Sequence, residues 1–80
     1  MTRKPYTAKQ GQYLAFIFHY TKIHRVAPAE SDMQKYFTVS PPSVHQMVLR
    51  LEAEGFIERV AGQGRSIRLL IPPEQLPELE

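Results

Sequence analysis

The clearest periodic pattern in the chain lies between Ser40 and Gly55 (SPPSVHQMVLRLEAEG). On a helix that turns about 100° per residue, one narrow sector of this segment holds only apolar residues: Val44, Met47, Val48 and Leu51. The opposite side is mostly polar. Helical geometry begins between Ser40 and Pro42, because a residue before proline avoids the α region. Gly55 suits the left-handed conformation that ends a helix, so the pattern predicts an amphipathic helix with one buried face.

Two more helices are predicted before this segment. Thr7 and Gln10 have the spacing of a capping box, which opens a helix that runs from Ala8 to about His24. Pro28 restarts the chain, and a short helix follows over residues 29–37. Its expected inward residues are Met33, Tyr36 and Phe37, and its expected solvent-facing residues are Glu30, Asp32 and Lys35. Thr38 and Val39 then form the turn before the third helix.

A β-hairpin is predicted directly after the third helix. Residues 56–60 and 66–71 are two short apolar strands around residues 61–65 (AGQGR), a turn that contains two glycines. Pro72 and Pro73 end the second strand, because proline cannot donate to a strand ladder. Residues 72–80 are acidic and are expected to form a flexible tail. The fold class is therefore mainly α with a small β-hairpin, a three-helix winged helix-turn-helix over residues 1–71.

Composition narrows the function classes. Eighty residues form one small domain with a limited core, and without cysteine the chain has neither a disulfide framework nor a thiolate zinc site. No apolar run approaches the roughly 20 residues that span a bilayer, and the first ten residues lack a signal-peptide segment, so a cytoplasmic protein is expected. Residues 1–71 hold all ten Lys and Arg against five acidic residues, a net charge of +5. That charge suits phosphate binding, although ordinary solvated surfaces also carry it.

A polar helix face followed by a basic hairpin is typical of a domain that binds duplex DNA. Base contacts specify a sequence, and phosphate contacts position the protein. Gln46 can bond adenine, His45 can donate to guanine, and Leu49 can meet a thymine methyl group. The candidate base-reading residues are Ser40, Pro42, Ser43, His45, Gln46 and Leu49. The candidates for the DNA backbone are Lys35, Arg50, Arg59, Gly62, Gly64, Arg65 and Arg68.

Self-association is expected, because one small module makes few DNA contacts. The apolar arc of helix 1 is wider than one face, since Phe16 and Phe18 lie about 100° to either side of Ile17. These aromatics either pack on neighbouring elements or form a dimer contact. The dimer candidates are Phe16, Phe18, Leu76 and Leu79. The alternative function is a protein-interaction module of the same fold, an adaptor or antirepressor, which exposed Leu49 favours.

Enzymatic and metal-dependent functions find little support. His19 and His24 are five residues apart and point to different sides of helix 1, so they do not form a helical metal pair. The serines have no recognisable base arrangement. The hairpin glycines are not followed by the Lys-Ser or Lys-Thr of a phosphate loop. No catalytic activity, cofactor, membrane partner or small-molecule ligand is predicted.

The chain resembles the N-terminal DNA-binding domain of LexA-type repressors over residues 7–70. The resemblance rests on TAKQ at the first helix, the Pro28 turn, SP before the third helix, EGFIE after it, and SIRLL in the second strand. It implies a winged helix-turn-helix that binds duplex DNA, typically as a homodimer on a two-fold operator, and represses transcription.

Two departures limit what the resemblance implies. Where the best-studied members have Asn, Glu and Glu at the recognition positions, this chain has Pro42, His45 and Gln46, while Ser40 is retained. A different operator sequence is therefore expected. The chain also ends ten residues after the wing, so the Ser-Lys self-cleaving domain of those repressors, and self-cleavage, are not predicted. The Ala61-Gly62 dipeptide matches their cleavage site but lies within the predicted hairpin.

Overall fold

The computed structural model describes residues 6–80, so the first five residues of the predicted domain lie outside the described part. The helices are α1 (Ala8–His24), α2 (Glu30–Phe37) and α3 (Pro41–Ala53). Strands β1 (Ile57–Glu58) and β2 (Arg68–Leu69) pair antiparallel, with Ile57 opposite Leu69, and a 3-10 turn spans Pro73–Gln75. This confirms the predicted winged helix-turn-helix, with shorter strands than expected. Among residues 6–80, no helix has the length and apolar character to cross a membrane.

Helix α1 begins and ends where the sequence predicts. The Thr7 hydroxyl accepts from the Gln10 backbone N–H at 3.1 Å, and Gln10 Oε1 accepts from the Thr7 N–H at 2.9 Å. These two bonds are the predicted capping box, and they satisfy two backbone donors that the helix leaves unpaired. The helix ends at Arg25, which adopts the left-handed conformation with φ 64°.

Helix α2 begins one residue later than predicted, with Ala29 as its N-cap. The Asp32 carboxylate accepts from the Ala29 backbone N–H at 2.8 Å, which is the half of a capping box that needs no polar N-cap side chain. This bond, assisted by nearby Arg65, lowers the pKa of Asp32 against the opposing effect of its partial burial. The charged form of Asp32 is therefore favoured in the folded protein.

The prediction that Tyr36 faces inward is wrong. Its side chain is 44% exposed, and Met33 is the buried residue of α2. The Phe37 ring stacks on Tyr13 with centroids 4.2 Å apart. Tyr36 lies at the edge of this cluster, 4.7 Å from Phe16, because its hydroxyl donates to the backbone carbonyl of Glu80 at 2.6 Å.

The core forms where the apolar face of α3 meets α1, α2 and β1. Val44, Val48 and Leu51 are fully buried, as the periodic pattern predicts, and Met47 lies partly buried at the margin. Their fully buried partners on the other elements are Leu14, Ile17, Met33 and Ile57. Because one face of α3 is buried in this core, the opposite face is directed outward.

The hairpin is held by its own turn and by a contact with the helices. The Ser66 hydroxyl bonds Val60 on both its N–H, at 2.9 Å, and its carbonyl, at 3.2 Å, which closes the turn. The Arg65 guanidinium lies 3.2 Å from Asp32 and donates to the Tyr20 hydroxyl at 3.0 Å and to the Ala27 carbonyl at 3.2 Å. Arg65 thereby ties the hairpin to α1 and α2.

Residues 73–80, called the strap below, differ from the flexible tail that the sequence predicts. The strap folds back over α1, and Leu76 and Leu79 pack partly buried against the core. Gln12 and Tyr36 bond its backbone. The physical reason is that two leucines and several satisfied backbone groups offset the entropy of ordering the segment.

The capping box generates a stability prediction. Thr7→Ala removes the hydroxyl that accepts from the Gln10 N–H, so we expect the free energy of unfolding to fall by about 1 kcal/mol. Urea titration followed by far-UV circular dichroism measures this. Thr21→Ala, at an exposed position within α1, serves as the matched control and should change stability by less than about 0.5 kcal/mol. Equal losses in the two variants would contradict the capping role.

The lowered pKa of Asp32 generates a pH prediction. Its stabilising effect is fully present above the unfolded-state pKa of about 4 and is lost as pH falls through the lower folded-state value. Asp32→Asn should therefore reduce stability by about 1 kcal/mol at pH 7. The difference from the natural chain should shrink below about pH 4. Denaturant titrations at several pH values test this, and a difference that stayed constant down to pH 3 would contradict it.

Candidate DNA-binding surface

The outward face of α3 carries the predicted base-reading residues. Ser43, Gln46 and Arg50 line one shallow depression with Met47 at its side. Leu49 is 41% exposed next to them. The first turn of the helix contains no acidic residue, so no carboxylate there repels a phosphate. These side chains therefore lie together on the outward face of α3.

The N-terminus of α3 is built from two prolines. Pro41 and Pro42 occupy its first two positions and remove two of the four N–H groups that a helix normally leaves unpaired. Ser40 is the N-cap residue, but its hydroxyl lies 2.9 Å from the Ser43 hydroxyl and makes no capping bond to the backbone. Polar contacts at this end therefore depend mainly on side chains.

His45 is tethered to α2. Its Nδ1 atom lies 3.1 Å from Glu30 Oε2 and 3.2 Å from Glu30 Oε1. The bond orients the imidazole ring and leaves Nε2 as the ring nitrogen available to a base edge. Glu30 thus takes part in positioning a candidate base-reading residue, a role that was not predicted from the sequence.

Most of the predicted cations have a carboxylate partner. Arg50 Nε lies 3.7 Å from Glu54, and Arg59 Nε lies 3.2 Å from Glu52. Arg68 pairs with Glu58, and Arg65 pairs with Asp32 as described above. Only the Arg50–Glu54 pair has the i, i+4 spacing that a sequence reveals. The other partners come from different elements, so only the fold brings them to the cations.

A groove of about 380 Å³ separates the hairpin from the helices. Glu30 and His45 line it from the helical side, and residues 62–67 line it from the hairpin side together with Arg59. A Cβ atom at Gly62 or Gly64 would meet no other atom within 4 Å, so both glycines face open space. Gly62 has φ 79° and requires the left-handed conformation, which Gly64 does not.

Other predicted contacts lie elsewhere. Arg68 lines a separate groove with Phe18 and Lys22 of α1, and Lys35 is exposed on α2. The Arg65 side chain, for which a phosphate contact is predicted, is directed at Asp32 and Tyr20. Ser66, which closes the turn, was missed, because a serine in a hairpin has no pattern that distinguishes it.

The candidate dimer residues are mostly used within the domain. Phe16 is 8% exposed and packs against the rings of Tyr36 and Phe37, so its expected role at a dimer surface is corrected. Its ring fills the space between α1 and α2. Phe18 is partly buried beneath the Lys22 ammonium group, which lies 5.8 Å from the ring centroid. Leu76 and Leu79 pack on the core of their own chain.

Curated relatives share this region of the chain. The LexA repressor of Thermosipho africanus is 37% identical over 71 residues, which cover 89% of this chain and 36% of the relative. The LexA repressor of Thermosipho melanesiensis is 34% identical over 73 residues, covering 91% and 37%. That of Actinobacillus succinogenes is 31% identical, covering 92% and 38%. The chain thus spans little more than a third of the length of these relatives.

A family model described as "Iron dependent repressor, N-terminal DNA binding domain" matches residues 6–64. Within the described residues, no group of three or more His, Cys, Asp or Glu side chains is placed to hold a metal ion. The described residues therefore do not fit an iron site. The match covers most of the chain and most of the surface described above. The chain therefore belongs to this family of repressor DNA-binding domains, and it is similar over about nine tenths of its length to the LexA repressors.

Proposed function

We propose that this protein binds duplex DNA sequence-specifically, with α3 in the major groove and the hairpin as a wing along the backbone, and represses transcription by occupying its site. One observation carries the proposal. The face of α3 that is not buried in the core presents Ser43, Gln46 and Arg50 together, in a chain of a DNA-binding repressor family. A helix of this kind enters the major groove with side chains near its N-terminal end.

The exposed side chains suit different base edges. Gln46 can donate to and accept from adenine with its amide, and Leu49 can pack on a thymine methyl group. Because Glu30 engages the Nδ1–H, Nε2 of a neutral His45 can accept from adenine N6 or cytosine N4, and it can donate to guanine only when the ring carries both protons. Ser40, Pro42 and Ser43 lie at the first turn, where they can contact bases or the adjoining backbone. These pairings favour a DNA site that contains both A·T and G·C base pairs.

The ion pairs are compatible with phosphate binding. The Arg50 side chain is 71% exposed, and an exposed ion pair contributes at most about 1 kcal/mol, so a phosphate can replace Glu54 as its partner. Gly62 and Gly64 let the wing backbone approach a strand closely. We infer that Arg65 acts mainly by holding the wing through Asp32, and that Arg59, Arg68 and Lys35 contribute positive charge around it.

A single module of this kind buries about 600 to 1,000 Å² on DNA. We therefore propose that two copies bind paired half-sites, spaced by about one helical turn. Selection from a random duplex library, followed by sequencing, tests the proposal and gives the half-site spacing. Recovery of an enriched motif with two-fold symmetry is the expected result. A bound pool with no enriched motif would overturn sequence-specific binding.

Gln46→Ala should relax the base preference at one position of the selected motif. The lost amide bonds should weaken binding to the best duplex by about 1 to 3 kcal/mol, or roughly 5- to 150-fold. Fluorescence anisotropy on the best duplex and on its single-base variants measures this. Gln75→Ala, an exposed glutamine outside α3, is the matched control and should bind as the natural chain does. Unchanged preference in Gln46→Ala would contradict the groove assignment.

Arg50→Ala should weaken binding to all duplexes by a similar factor. If Arg50 neutralises one phosphate, the slope of log affinity against log salt concentration should become shallower by about 0.9. Lys9→Ala removes the same charge beside Gln12 and the strap, away from α3, and is the matched control. We expect the control to keep the natural slope. Equal slopes in both variants would contradict a phosphate contact by Arg50.

A further inference from the structure

The strap, residues 73–80, lies in a groove on the N-terminal half of α1 and the end of α2. The Gln12 side chain makes two hydrogen bonds to the strap backbone. Its Nε2 donates to the Glu78 carbonyl at 2.9 Å, and its Oε1 accepts from the Glu80 N–H at 2.8 Å. These are the bonds that a neighbouring β-strand would make. Two tyrosines add to them. The Tyr36 hydroxyl donates to the Glu80 carbonyl at 2.6 Å, and the Tyr6 hydroxyl donates to the Gln75 carbonyl.

Gly11 is the position on α1 where the strap approaches most closely. A Cβ atom there would lie 2.7 Å from Cε1 of Tyr6 and 3.0 Å from Cγ of Pro77, both too short for unstrained contact. Glycine in a helix interior is less favourable than alanine by about 1 kcal/mol. Its presence at the fourth position of a well-capped helix is explained by this approach. The groove is therefore shaped for an extended segment with a proline at this point.

The side chains of the strap specify the remaining contacts. Leu76 and Leu79 pack partly buried against the core on either side of Pro77. The three glutamates of the strap meet a body of net charge +5, and Glu80 shares a depression with Lys9. The groove thus accepts an extended acidic peptide with the pattern Leu-Pro-x-Leu, bound by its backbone and by two apolar side chains.

We propose that this groove also takes the strap of a second copy, so that two copies exchange straps and form a symmetric dimer. Every copy of the chain carries a strap that fits the groove. Because the groove contacts only the strap, the same contacts can form with the strap of another copy. Reciprocal exchange would keep these groove contacts, with the chain redirected at exposed Pro72, which lies between buried Ile71 and the strap. Such exchange of an identical element is a low-cost route to a two-fold dimer.

The concentration of the chain determines whether a strap binds its own domain or that of a second copy. A strap attached to its own domain by a short connection has an effective concentration on the order of 1 mM. Exchange between copies therefore becomes substantial when the chain itself reaches about 1 mM. It should be undetectable by equilibrium methods at low micromolar concentration.

Disulfide trapping tests the exchange, because the chain has no cysteine of its own. One copy carries Lys9→Cys in the groove and another carries Glu80→Cys on the strap, and the two are mixed at about 1 mM each under mild oxidation. The control pair combines Glu80→Cys with Lys22→Cys, an exposed position near the other end of α1. We expect at least five times more mixed disulfide in the groove pair than in the control. Adding Gln12→Ala to the groove copy should remove most of that excess.

A mixed-disulfide yield equal to that of the control pair would overturn the proposal. Sedimentation equilibrium of the unmodified chain up to about 1 mM is the second measurement, and a monomer throughout would also overturn it. A dimer in sedimentation without the selective disulfide would assign self-association to another surface and reject strap exchange. Neither experiment contains DNA, so failure here leaves the proposed DNA-binding function untouched.

Discussion

Burial of one face of α3 is the constraint on which the rest of this structure depends. Val44, Val48 and Leu51 have no exposed surface, and they meet Leu14 and Met33, which are equally buried. A chain of 80 residues buries only a small core, so loss of one large core side chain would remove about 2 to 5 kcal/mol from a small total stability. The same burial fixes the rotation of α3 and determines which side chains face outward.

Charge on α3 and the hairpin is distributed as pairs and not as a bare basic patch. Arginines on α3 and the hairpin each lie beside a carboxylate, and His45 lies beside Glu30. Such pairs contribute little to stability when exposed, but they orient the cations before any ligand arrives. The Arg65–Asp32 pair has a further consequence, because it joins the hairpin to the helices and so holds the wing in a defined position relative to α3.

The strap shows that a few backbone contacts can order a segment whose composition predicts disorder. Proline and glutamate normally favour flexible chain, yet Gln12, Tyr36 and the two leucines hold residues 73–80 on α1. The interaction needs Gly11, since any side chain there would meet Tyr6 and Pro77. One glycine in α1 thus links the local geometry of a helix to the path of residues more than sixty positions away.

The sequence by itself determined the three helices, the capping box at Thr7, the buried stripe of α3 and the hairpin, because these depend on periodicity and on residues at most about twelve positions apart. It also indicated the family and the outward side chains of α3. Only the tertiary structure decided that Arg65 bonds Asp32, that Glu30 holds His45, that Phe16 is internal and that the strap is ordered. Those contacts join residues from 15 to more than 60 positions apart. The partner of a charged residue or a leucine at such a distance cannot be identified from the sequence pattern.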